Sequence, residues 1–365
     1  MSTIFALAGL NSSDYKFARQ ADQRLLYTAI QEYVTRANDD MRGAMDLFVN
    51  ETTEIVTERY QLPMNGMMQP RADGTRGMAR AQRGSWDVAF PIADYSEQVA
   101  MTDVEAAYMT PAALDAHIKG IVSMYANRVR FEILKRLFNS NASTVEDPKH
   151  GTLTIRPLAN GDAALYPANI WSDAEATENH YLESNYAASA ISDTNDPIVT
   201  IVSELEEHFG YPSGGSPIVV LISSDQSAKV RALTDFVELP DRYIEVGAQT
   251  DTPNGLPTIP TSARFIGRHK RGAWIAEWGA GSTGQVPTNY MLGIHSETGR
   301  PLRMRVDPAE TGLPRGLATV LRDDRYPIES LEWRARFGFG AANRLNGVVM
   351  ELGTGGSYTV PAIYA

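Results

Sequence analysis

The sequence has no cysteine in its 365 residues. That excludes a disulfide scaffold, a thiolate zinc site, an iron-sulfur cluster and a cysteine nucleophile, while leaving the redox compartment open. Lysine is scarce as well: Lys16, Lys119, Lys135, Lys149, Lys229 and Lys270 stand against 27 arginines. Arginine is enriched at protein interfaces, where its planar fork makes paired hydrogen bonds, and a GC-rich genome explains the bias equally well. No run of about 20 apolar residues offers a membrane-spanning helix. The opening MSTIFALAGLNSSDYK lacks both a basic region before its apolar stretch and an A-x-A cleavage pattern, so secretion is not expected.

The usual marks of chemistry are missing too. There is no G-x-S-x-G elbow, no phosphate loop ending in G-K-[ST] and no kinase set. The histidines His117, His150, His180, His208, His269 and His295 never fall at H-x-x-x-H or H-E-x-x-H spacing, so a metal site would have to be assembled in three dimensions. Gly279, Gly281 and Gly284 match the dinucleotide fingerprint, but Gln285, Val286 and Pro287 lead into more strand-like sequence instead of a helix, and a glycine-rich loop is the better reading. Asp193, Asn195 and Asp196 lack the twelve-position calcium loop and read as a turn with a helix cap. No catalytic residue, cofactor or metal is assigned.

What is present is an ordinary globular composition, 43% hydrophobic and 21% charged, long enough for about two folded units. The net charge of -11 is uneven. Residues 1–144 balance at -2, 145–255 at -13 and 256–365 at +4. An acidic middle of that size does not wrap DNA as a repressor does.

Along the chain, Phe17, Leu25, Leu26, Ile30, Tyr33 and Val34 predict an amphipathic helix between Ser13 and Asn38, with Asn38 and Asp39 capping a second short one. Residues 51–62 and 85–101 predict two extended arms of a long hairpin. Its glycine-rich tip carries Arg71, Arg76, Arg80 and Arg83 against Asp73 alone. An isolated hairpin is marginal in water, so this projection needs a neighbour. Thr110 and Pro111 open a helix of about eight turns through Leu114, Ile118, Ile121, Tyr125, Val129, Ile133 and Leu137, in which Gly120 either weakens the helix or marks a close contact. Asp196 caps a helix to Phe209, PIVVLIS is a buried strand, and Ser224 with Asp225 caps a further helix, together an α/β layer. Residues 264–278 read as strands, 289–306 as a hairpin through Glu297, Thr298 and Gly299, and Leu331, Trp333, Ala335 and Phe337 alternate as one buried face. VVMEL is the last strand.

In this order the parts resemble the major capsid proteins of tailed double-stranded DNA phages. The likeness rests on WDVAFPIADYSEQVAM leading into TPAALDAHIKGIVSMYANRVRFEILKRLF, on PIVVLISSDQSAKVRAL, and on RDDRYPIESLEWRARFGFGAANRLNGVVMEL. It implies an α+β Hong Kong 97-type capsid fold with a helical arm over 1–50, an extended hairpin loop over 51–100, a peripheral domain over 101–190 and 301–345 with a long spine helix, and an axial domain over 191–300 and 346–365. It also implies a shell of hexamers and pentamers in the virion, assembled in the host cytoplasm. The partners expected are other copies of the chain, a separate scaffolding protein, a portal, a cementing or decoration protein, and packaged double-stranded DNA bound without sequence preference; no membrane is expected. The early start of the arm helix is the reason to expect the scaffold as a separate chain. Some relatives join a hairpin lysine to a neighbour's asparagine. No lysine lies between Lys16 and Lys119, so non-covalent locking is expected here. The alternatives are an encapsulin-type shell and an α/β enzyme centred on 197–305.

Overall fold

The structure, a computed structural model, describes residues 3–62, 67–68, 73, 85–147, 149–170, 176–209, 217–238, 263–279, 285–323 and 328–365. Arg71, Arg76, Arg80 and Arg83 lie outside the described residues, as does most of the glycine run that begins at Gly279. No helix among the described residues is long and apolar enough to cross a membrane.

The chain opens with α1 (Ile4–Leu7), whose Ile4 amide donates to the Asp115 carboxylate at 3.0 Å. The amphipathic segment becomes one continuous helix, α2 (Gln23–Met45), instead of two. Its start is later than the periodicity suggests because the Gln20 side chain folds back onto the amides of Lys16 and Phe17, and Asp22 supplies the N-cap to Arg24 and Leu25. Asn38 does not cap a second helix. Its side chain instead reaches Leu317, accepting from the amide at 3.1 Å and donating to the carbonyl at 3.2 Å.

The expected arms are each broken in two. β1 (Val49–Thr53) and β2 (Thr57–Gln61) enter different sheets, and β3 (Ser85–Ala89) is separated from β4 (Ala93–Thr102) by Phe90, Pro91 and Ile92. Proline cannot continue a ladder as a donor, so the chain changes sheets there. Only β2 and β3 pair, with Thr57 opposite Ala89 and Gln61 opposite Ser85. A capping box between Thr102 and Glu105 starts α3 (Asp103–Tyr108). The long helix α4 (Pro111–Phe138) follows, capped by Thr110 as its sequence predicts, and at 28 residues spans about 42 Å. It buries Ile118, Ile121, Tyr125, Val129, Ile133 and Leu137. A Cβ at Gly120 would meet nothing within 4 Å, so no close contact requires that glycine.

β5 (Ser143–Asp147) and β6 (Gly151–Ile155) form a small hairpin. After β7 (Tyr181–Glu183) comes α5 (Pro197–Phe209), where Asp196 accepts from the Ile198 amide at 2.9 Å as expected of a cap. The buried β8 (Ile218–Ile222) leads to α6 (Ser224–Arg231), whose N-cap is Ser223. The remaining elements are β9 (Phe236–Glu238), β10 (Ala263–His269), β11 (Ala273–Trp278), β12 (Tyr290–His295), β13 (Leu302–Arg305), β14 (Ala318–Asp323), β15 (Ile328–Ala341) and β16 (Val348–Glu351).

Seven strands in the order β7-β16-β12-β8-β11-β10-β9 make a mixed sheet with β8 at its centre. Successive β8 side chains point to opposite faces: Val219 and Leu221 join the core that includes α2 and α4, and Ile218, Val220 and Ile222 join the core under α5 and α6. A second sheet holds β1, β13, β15 and β14, with β4 also on β15. The expected hairpin through Glu297, Thr298 and Gly299 is therefore wrong, because β12 and β13 lie in different sheets. Polar side chains replace the missing ladder at this crossing. Asn346 accepts from the His295 amide and donates to the carbonyls of His295 and Gly299, each at 2.9 Å. The alternating strand is confirmed: Trp333, Ala335 and Phe337 are buried on α4's side of the core.

Candidate assembly surfaces

The hairpin base is fixed to the body of its own chain. Trp86 and Val88 are buried on one face of β3, and Trp86 Nε1 donates to the Ala342 carbonyl at 3.0 Å. The Trp86 ring lies between Tyr60 and Tyr166, at centroid distances of 5.3 and 5.0 Å. Where β15 passes the hairpin base, a Cβ at Gly338 would sit 2.3 Å from the Pro91 carbonyl oxygen, so the two backbones meet too closely for a side chain. The exposed cross-strand pair of Arg59 and Asp87, 3.0 Å apart, adds little stability by itself. Beyond Gln61, Met68 is 99% exposed.

A second surface is a cleft of about 490 Å³ beside α4, lined among others by Asp94, Tyr95, Met124, Arg128 and Trp333. The Arg128 guanidinium lies 4.5 Å from the Tyr95 ring centroid and pairs with Glu132 at 2.5 Å. Tyr125, packed edge-on against Phe337, has its phenol pushed up to about 12 by burial. At the rim, hydrogen bonding from Arg334 holds the Asp94 carboxyl below its ordinary range, against the opposing effect of burial and with further help from Arg336. Arg336 bridges onward to Asp307 at 2.7 Å. The rim charges thus lock β4, β15 and the segment after β13 to one another.

The region weighed as an enzyme uses its polar residues for structure. Asp225 accepts from the Thr288 hydroxyl at 3.1 Å and Asp196 lies 2.9 Å from His269 while capping α5, whereas Ser223, at the N-cap position of α6, is buried and its hydroxyl makes no capping bond. The turn expected here is present, with Ser192 and Asn195 exchanging backbone hydrogen bonds, while Asp193 reaches outside it to accept from both the amide and the hydroxyl of Thr234. Sequence spacing did miss one constellation. Glu178, Glu207 and His208 bring possible ligand atoms within 4.8 Å of one another, which no short motif could reveal because residue 178 and the 207–208 pair meet only through the fold.

No protein-family model matches the chain, and no curated protein does. Solved structures do. One described as Mycobacterium phage Patience superposes with a TM-score of 0.66 over 96% of this chain and 94% of that one, at 17% identity. A structure described as the putative capsid protein of a prophage of E. coli CFT073 gives 0.49 over 89% and 98%, at 9% identity. The asymmetric unit of the bacteriophage PhiM1 mature capsid gives 0.48 over 82% and 84%, at 10% identity. At such identities a likeness concerns the backbone, and the first of these spans nearly the whole of both chains. The chain has the α+β Hong Kong 97-type fold of phage capsid proteins.

Proposed function

We propose that the chain is the major capsid protein of a tailed double-stranded DNA phage and self-assembles into hexamers and pentamers of an icosahedral shell. The observation that carries this reading is the shared backbone over 96% of the chain with a phage structure. Its role is structural. One feature supports it independently of that likeness: a mostly apolar cleft beside α4 able to receive a neighbour. In this reading the arm and hairpin overlap adjacent copies, and residues 191–300 with 346–365 gather at the five-fold and six-fold positions.

The tip arginines Arg71, Arg76, Arg80 and Arg83 act as an assembly contact. Opposite charge fixes which surfaces meet, and the segment 145–255, with a balance of -13, is the complementary partner on a neighbouring copy. DNA inside the shell is confined without sequence-specific binding. A separate scaffolding protein and a portal complete assembly in the host cytoplasm, with reinforcement coming from overlap or from a cementing protein. Sedimentation of the purified full-length chain tests the reading: a fast boundary of shell size is expected, and a chain that stays monomeric under every assembly condition would overturn it. Nuclease-protected DNA in particles from infected cells separates a virion from an encapsulin.

A further inference from the structure

We propose that Glu178, Glu207 and His208 form a binding site for one divalent transition-metal ion, zinc above all, with His180 and Glu204 beside it. The proposal is independent of the capsid reading.

The site joins two elements. On α5, Glu204, Glu207 and His208 occupy positions i, i+3 and i+4 and share one helix face. Opposite them the chain is extended, because Asn179 pairs with Asn160, Gly161 donates to the Glu178 carbonyl and His180 donates to the Ala159 carbonyl. Side chains two apart on an extended segment point the same way, so Glu178 and His180 face α5 together. The His180 and His208 ring centroids are 5.5 Å apart, and His208 Nε2 is 3.3 Å from Glu207 Oε1. Ligand atoms around a tetrahedral zinc lie about 3.4 Å apart for bonds near 2.1 Å, so an ion would draw the present set inward by roughly 1 Å. Glu178 and Glu207 are partly exposed, with side chains long enough for that adjustment.

A second observation also points to an ion. His180 is wholly buried, its Nδ1 lies 3.0 Å from the Gly347 carbonyl, and its Nε2 makes no hydrogen bond among the described residues. The carbonyl can only accept, so Nδ1 carries the proton and Nε2 presents a lone pair. Glu178 and Glu207 bring two carboxylates of one sign together, and Glu204 stands one turn earlier on the same helix face. One cation would relieve that crowding. Two charged groups nearby do not supply the relief: Glu206 turns to Arg271 at 3.4 Å, and Arg344, which also acts on His180, is committed to Asp162 at 3.0 Å. Asn169 donates to Glu207 and orients it. Imidazole nitrogen with carboxylate oxygen favours zinc or a neighbouring first-row metal over magnesium and calcium, which take all-oxygen shells.

The test uses the full-length protein stripped with EDTA, desalted and titrated with zinc chloride. One zinc per chain is expected, unaffected by equimolar magnesium or calcium. Glu178→Gln with Glu207→Gln should weaken binding at least tenfold while leaving the circular dichroism unchanged. Absence of stoichiometric zinc, equal affinity in the double variant, or displacement by equimolar calcium would overturn the proposal. Should the double variant misfold, zinc-edge X-ray absorption on the unaltered protein decides: an imidazole shell supports the site, and an all-oxygen shell means exposed carboxylates alone hold the ion.

Discussion

Arg344 is entirely buried, and its guanidinium meets the Asp162 carboxylate at 3.0 Å. The same guanidinium donates to the carbonyls of Pro157 and Leu158, at 2.7 and 3.1 Å, and to the Asn160 side chain at 3.2 Å. One side chain thus ties the turn between β15 and β16 to the loop after β6. Removing it takes this donor from the buried carbonyls of Pro157 and Leu158, while Asp162 keeps Arg156 at 3.0 Å, so the cost is that of the unsatisfied acceptors, about 1–3 kcal/mol each. Arg344→Ala should lower the denaturant midpoint of the soluble chain accordingly. Arg344→Lys should recover only part of the loss, since an ammonium cannot span this fork. A midpoint unchanged in Arg344→Ala would show that the network contributes nothing.

Two glycines should respond in opposite directions to the same substitution. Gly120 lies within α4 with open space around it, so Gly120→Ala should stabilise the chain by about 1 kcal/mol through helix propensity. At Gly338 the added methyl would collide with the Pro91 carbonyl, so Gly338→Ala should lower the melting temperature by several degrees. Thermal unfolding of the two variants side by side checks both, and a loss of stability in Gly120→Ala would reveal a contact that the isolated chain does not have.

His295 sets a pH dependence. Burial, with a smaller effect of Arg300, lowers it to about 4, against about 6.5 in an unfolded chain. Its folded form therefore prefers the neutral ring. The associated stability is complete above pH 6.5 and declines as pH falls toward 4, because the unfolded chain takes up the proton first. By linkage this amounts to at most about 3 kcal/mol. Glu204, raised to about 7, contributes in the opposite sense over the range from its unfolded value upward. Stability against pH in His295→Gln should slope less steeply between pH 4 and 6.5 than in the unaltered chain; parallel curves would remove His295 from the account.

Replacing Arg71, Arg76, Arg80 and Arg83 together by serine should cut particle yield and flatten its dependence on sodium chloride. Unchanged yield and unchanged salt response would mean that the tip makes no charged contact.

Much of this architecture could be read from local signals. Thr110 and Pro111 marked the start of α4, the unbroken apolar run marked β8, and the alternation around Trp333 marked β15, because cap, run and period are each properties of neighbouring residues. The errors fell where the chain changes sheets. Between His295 and Leu302, and again at Pro91, two strand-like stretches adjoin, and which sheet each joins is decided by distant partners such as Asn346 and Phe337. Asn38 looked like a cap and became a tether to Leu317 for the same reason. The Glu178, Glu207 and His208 cluster was invisible because α5 and the segment before β7 meet only in the folded chain.

Electron microscopy of the purified full-length protein, alone and after expression with its scaffolding partner, tests the central claim most directly. Closed icosahedral shells built from hexameric and pentameric capsomers are the predicted result. Fields containing only separate, open or irregular protein, with no closed shell under either condition, would contradict it.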